Sequence, residues 1–136
     1  MRILVDTSVW ISFFRGEPSR EATILKACLD QREYIATSGI IVQEILQGIR
    51  EDSQYRETLR FLDLLPRADL QFADHIEAAN IYRQLRKRGL TIRSPIDCMI
   101  AALAMRSRFL LLHKDRDFPT IVRLYPLKLY EEQSSP

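Results

Sequence analysis

Cysteine is scarce in this sequence: Cys28 and Cys98 are the only two among 136 residues. They lie far apart and form no C-x-x-C pair, which argues against a disulfide framework and a structural zinc site. A reducing, cytoplasmic setting agrees with that. Long apolar runs are also missing. The stretch 99–105 falls well short of the ~20 residues that cross a bilayer, so no membrane partner is expected. The opening Ile3-Leu4-Val5 is interrupted by Asp6, and no small-residue cleavage pattern follows it, as a signal peptide would require. Charge of one sign is lacking too: 20 cations against 18 acids leave a net +2, so a polyanionic partner must be argued from local charge. With 46% hydrophobic and 28% charged residues, disorder, collagen and a coiled coil are excluded. One domain over 1–136 is expected, with a loose tail at 131–136.

What is present is an alternation of short apolar runs and amphipathic stretches. Ile3-Leu4-Val5 reads as a strand covered on both faces. Asp6-Thr7-Ser8 follows as helix-capping residues before Val9-Trp10-Ile11. Ser19 caps a second helix, and Tyr34-Ile35-Ala36 is a second strand. Thr37 or Ser38 caps a third helix carrying Ile41, Val42, Ile45, Leu46 and Ile49, and a fourth stops at Pro66. A fifth starts near Asp74, with Glu77 in capping-box position, and ends in Arg86-Lys87-Arg88-Gly89. Ser94-Pro95-Ile96-Asp97 is a sharp helix start. Residues 109–112 form another strand, and 124–129 a last weak one. This pattern predicts an α/β fold of three layers, with helices on both faces of a mostly parallel sheet of about four to five short strands.

Ligands of open parallel sheets bind beyond the carboxyl ends of the strands. Asp6 ends the first strand, and Asp115 and Asp117 follow the 109–112 strand. Asp97 sits in the first turn of the preceding helix. Such a helix start is expected along the opposite sheet edge, unless a short loop or a strand around 90–92 brings it round. Glu44 lies mid-helix on a largely apolar face, where an unpartnered carboxylate is costly. Carboxylates with few His or Cys suit Mg²⁺ or Mn²⁺. One or two such ions can serve in-line phosphodiester cleavage.

Each residue has a plainer reading. Asp6 can cap a helix, Asp97 can complement a helix dipole, Asp115 and Asp117 can be loop residues, and Glu44 can pair with a buried Arg. His113 reads as a packed or surface imidazole, a metal ligand or a proton shuttle. Trp10, Phe13 and Phe14 read as core or a dimer contact, and Cys98 as core filler. Sixteen of the 20 cations are Arg. Arg83, Arg86, Lys87, Arg88 and Arg93 form one acid-free group. Arg106, Arg108, Lys114 and Arg116 form a second, placed around the expected site. Either can be a solvated face or a hold on a phosphate backbone.

Four blocks together carry a family resemblance: Ile3-Leu4-Val5-Asp6-Thr7-Ser8-Val9-Trp10, Ile41-Val42-Gln43-Glu44-Ile45-Leu46-Gln47-Gly48, Arg93-Ser94-Pro95-Ile96-Asp97-Cys98-Met99-Ile100, and Leu111-Leu112-His113-Lys114-Asp115-Arg116-Asp117-Phe118. In this order they resemble the PIN domain, and more narrowly the VapC toxins of toxin–antitoxin pairs. The resemblance implies a Mg²⁺- or Mn²⁺-dependent ribonuclease. Its four acids map onto Asp6, Glu44, Asp97 and Asp115, gathered in one pocket. Asp117 matches an additional ligand, and Thr7 or Ser8 a hydroxyl beside the metal. It also implies a homodimer, a VapB-type antitoxin that covers the site, operator DNA bound through that complex, and structured RNA (tRNA or a ribosomal RNA loop) as substrate. Position 113 departs from the family pattern, holding His where many members have Thr. Two rivals remain: a PIN-like binding module without catalysis, and an α/β phosphotransfer domain with Asp6 as nucleophile. A haloacid-dehalogenase-type site would need a second Asp at position 8, which is Ser. A receiver domain would need paired acids at the first strand, which are absent.

Overall fold

The computed structural model describes residues 1–131, so the expected loose tail falls, past Glu131, outside the described residues. The elements are β1 (Arg2–Val5), α1 (Thr7–Arg15), α2 (Arg20–Asp30), β2 (Tyr34–Ala36), α3 (Gly39–Gln47), α4 (Asp52–Asp63), α5 (Phe72–Lys87), α6 (Pro95–Ser107), β3 (Leu110–Leu112) and α7 (Asp117–Val122). Three parallel strands form one sheet in the order β2-β1-β3. Ile3, Leu4 and Val5 in the middle strand are fully buried, which is why that run is continuous rather than alternating. The chain moves from β1 to β2 on one side and returns past β1 to β3 on the other. Right-handed crossovers in opposite directions cover opposite faces. One helical group joins α1 to α2 and α3, and α3 to α4, although α3 and α4 follow β2; in the other, α5 packs along α6, and α6 on α7 and β3.

The sheet is smaller than the four to five strands expected. Of the remaining candidates, 124–129 supplies one isolated bridge, Leu111 with Leu129, and a second bridge, Thr37 with Arg67, falls outside every expected strand. Pro126 has no N–H to give and interrupts any ladder along 124–129. That segment contributes one Leu111 N–H bond to the Lys128 carbonyl at 3.0 Å, and just beyond it the Tyr130 N–H donates to the Leu111 carbonyl at 2.8 Å. Residues 90–92 form a loop rather than a strand.

Of the aromatic run of α1, Trp10 is core, while Phe13 and Phe14 are partly buried against it. Trp10, with no exposed surface, stacks on Phe14 at 5.6 Å and meets Phe61 of α4 edge-on at 5.9 Å. On the other face, α5 starts earlier than expected, at Phe72, and the Asp74–Glu77 box is replaced by one in which Asp74 is the third helical residue. Its Oδ2 accepts the Gln71 N–H at 2.8 Å. Arg106 donates to both Asp74 oxygens, at 2.7 and 2.9 Å, and joins α6 to α5. Burial alone would push the Asp74 carboxyl up, but the guanidinium and the amide outweigh it and hold the group below its usual range.

Candidate active site

The site forms where β1 and β3 end. Asp6 does cap α1: its Oδ2 accepts the Ser8 N–H at 3.2 Å and the Ser8 hydroxyl at 2.6 Å. Capping and a role at the site coexist, because these bonds fix one oxygen of a carboxylate that is almost wholly buried. The Ser8 hydroxyl is itself pinned by the Lys114 N–H at 3.3 Å. The Lys114 ammonium donates to Ser12 Oγ at 2.7 Å. Thr7 reaches the other way and donates its hydroxyl to Glu44 Oε1 at 2.7 Å. The partner of Glu44 is thus a hydroxyl on the residue after Asp6 rather than a buried Arg, and Glu44 is half-buried.

Asp97 is the third residue of α6, which opens with Pro95 after the N-cap Ser94. The expectation that this helix start lies along the opposite sheet edge is corrected. A crossover helix runs back antiparallel to the strand it feeds, so α6 begins at the carboxyl edge and delivers Asp97 there. Oxygens of Asp97, Asp115 and Asp117 lie within 4.8 Å of one another. Asp97 is 6% exposed, and its Oδ2 is buried with no hydrogen-bond partner. Burial first, then the close approach of the Asp117 carboxyl, then the charges of Asp6, Asp115 and Asp117 push the Asp97 carboxyl up to about 9. Burial also raises Asp6, opposed by its Ser8 bonds and reinforced by the Asp115 charge. Asp6, Asp97, Asp115 and Asp117 are therefore one electrostatic unit. Asp6 and Glu44 both stand outside the three-carboxylate cluster: Asp6 is coupled to it by charge, and Glu44 connects to Asp6 through its neighbour Thr7.

Of the second cation group, Lys114 and Arg116 flank Asp115, whereas Arg106 and Arg108 lie at the far end of α6. With a helical rise of roughly 1.5 Å per residue, that end is about 15 Å from Asp97. Arg106 is held there by Asp74, and Arg108 is the left-handed C-cap of α6. Neither borders the acids as the sequence suggested.

Arg86, Lys87, Arg88 and Arg93 are exposed, and the Arg86 guanidinium lies 5.7 Å over the Tyr82 ring. The first two end α5, Arg88 is its C-cap, and Arg93 sits on the short connection to α6 with its amide on Asp117, so the group leads toward the site. His113 packs against the Phe118 ring at 5.2 Å, with Nδ1 buried and unpartnered. Burial lowers its pKa, against the pull of Asp6 and Asp115. Cys98 is buried core, its thiol raised to about 11 by burial and then by the Asp97 and Asp117 charges. Two contributors escaped the sequence reading. Ser12, which holds Lys114, is one helical turn past Ser8 and is findable from that spacing. The other is the pair of backbone amides of Arg93 and Ser94, which donate to Asp117 and carry no sequence signature.

The donor set is all oxygen, it is crowded with like charge, and it includes a buried oxygen without a partner. These features fit a hard divalent cation. The PIN-domain family model matches residues 3–124. The chain is 38% identical over 128 residues to Ribonuclease VapC11 of Mycobacterium tuberculosis, covering 93% of this chain and 96% of that protein. It is 30% identical over 131 residues to Ribonuclease VapC1 of Methanocaldococcus jannaschii, covering 96% and 88%. The structure of VapBC2 from Rickettsia felis bound to a promoter DNA fragment superposes with a TM-score of 0.74 at 20% identity, covering 96% of this chain and 98% of that one. The chain belongs to the PIN-domain family, in its VapC ribonuclease branch. Among the described residues, no helix is long and apolar enough to cross a membrane.

Proposed function

We propose that this chain is the toxin of a toxin–antitoxin pair and acts as a Mg²⁺- or Mn²⁺-dependent endoribonuclease on structured RNA, a tRNA or a ribosomal RNA loop. The observation that carries the proposal is the buried carboxylate cluster with its unpartnered Asp97 Oδ2. Asp6, Glu44, Asp97 and Asp115 would hold one or two ions. When bound, the ion supplies Lewis acidity toward water and toward the phosphate. The protein's own groups do the rest. Ser8 fixes the Asp6 carboxylate, Thr7 fixes Glu44, and the α6 start fixes Asp97. Lys114, Arg116 and Arg93 border the acids and would hold the RNA backbone, with Arg86, Lys87 and Arg88 extending that hold. A VapB-type antitoxin would cover this pocket, the toxin would act as a homodimer, and operator DNA would be met only through the complex.

The test is cleavage of total bacterial RNA by antitoxin-free protein with Mg²⁺ or Mn²⁺, with EDTA and Asp97→Asn as controls. Discrete fragments that require both the metal and Asp97 are expected, and end-mapping then names the RNA. Intact RNA from folded, partner-free protein under every metal condition would leave the non-catalytic module as the better account.

A further inference from the structure

Asp117 differs from the other acids in how its oxygens are used. Its Oδ1 and Oδ2 both accept the Arg93 N–H, each at 3.1 Å, and Oδ2 also accepts the Ser94 N–H at 3.1 Å. Its own N–H donates to Asp115 Oδ1 at 2.9 Å. The residue is 3% exposed and precedes the fully buried Phe118. Ser94 is the N-cap of α6, yet its side chain makes no capping bond. A carboxylate from α7 therefore anchors the start of a helix more than twenty positions away in sequence.

We infer that Asp117 is a positioning residue: it ties the start of α6 to the β3–α7 loop and so sets the separation of Asp97 and Asp115. Three residues after Ser94 comes Asp97, and two before Asp117 comes Asp115, so both functional carboxylates are hung from this one knot. Removing it leaves two amides unpaired and frees the α6 start to shift. The inference rests on the metal reading only for its effect on ion binding.

The experiment compares Asp117→Ala, Asp117→Asn and Asp97→Asn in the full chain. In EDTA, Asp117→Ala should melt about 5–10 °C below the parent, since two buried amides lose their acceptor. Its Arg93 and Ser94 amide protons should exchange at least about tenfold faster. Asp117→Asn keeps a carbonyl oxygen where Oδ2 sits, and should melt near or above the parent. Its Mn²⁺ affinity, by calorimetric titration, should stay within about threefold of the parent, while Asp97→Asn loses about a hundredfold. An Asp117→Asn variant that loses Mn²⁺ affinity as fully as Asp97→Asn would overturn the inference and make Asp117 a direct ligand. So would an Asp117→Ala variant with unchanged EDTA melting and exchange. If Asp117→Ala does not fold, the affinity of Asp117→Asn decides. A parent that binds no Mn²⁺ would sink the metal reading, while the EDTA comparison would still judge the knot.

Discussion

Without metal, the protein should lose stability as pH rises through neutrality, and Asp97 should be the main cause. Its carboxyl stands at about 9 in the fold against an ordinary 3.8. The folded state therefore holds a proton that the unfolded chain gives up above pH ~4, and stability falls with pH until about 9. Asp6 is raised too and acts in the same sense within the same cluster. Other groups limit the clean window. His113 is lowered by burial, so the unfolded chain takes a proton there that the fold refuses, and stability rises with pH up to about 6.5. The thiols of Cys28 and Cys98 are raised and add to the fall only once unfolded thiols titrate, above about pH 8. Between pH 7 and 8 Asp97 dominates. One proton over one pH unit is about 1.4 kcal/mol, or about 4–7 °C in melting temperature for a domain of this size. Thermal melts in EDTA at pH 7.0, 7.5 and 8.0 read it directly. Asp97→Asn should lose most of the slope across that window and be more stable than the parent at pH 8. Saturating Mg²⁺ should remove the parent's slope, because the cation replaces the proton. A flat parent in EDTA, or an Asp97→Asn slope equal to the parent's, would refute the reasoning.

Thr7→Val should cut cleavage about 10- to 100-fold while melting changes little, because Glu44 loses the hydroxyl that orients it; single-turnover rates beside thermal melts check this. Arg106→Ala strands the buried Asp74 carboxylate and should cost about 2–4 kcal/mol in urea unfolding, with cleavage per folded molecule retained. Arg93→Ala combined with Lys114→Ala should raise KM more than it lowers kcat, and flatten the salt dependence of RNA binding by about one to two phosphate contacts.

Local grammar carries most of the fold. The burial of Ile3-Leu4-Val5, the bounds of Tyr34-Ile35-Ala36 and the Ser94-Pro95 helix start follow from neighbouring residues alone, and the structure reproduces them. The errors arise where a residue's role is set by something distant or unwritten. Asp74 does belong to the first turn of α5, but the start is misplaced because the cap is Gln71, a residue type that seldom signals one, and the tie from Arg106 comes from another helix. The strand count runs high because 124–129 has strand composition, whereas Pro126 interrupts the ladder and leaves a single bridge. The opposite-edge placement of Asp97 is an error of topology, since a helix feeding a parallel strand begins at that strand's carboxyl edge. The candidate acids can be read singly as caps or loop residues, and Asp6 is in fact a cap. What distinguishes a site from a set of caps is the oxygen left over after capping. Asp6 and Asp117 commit oxygens to backbone amides, whereas Asp97 Oδ2 is buried with no partner. That difference lives in hydrogen bonds to main-chain groups, which every residue possesses and no sequence records.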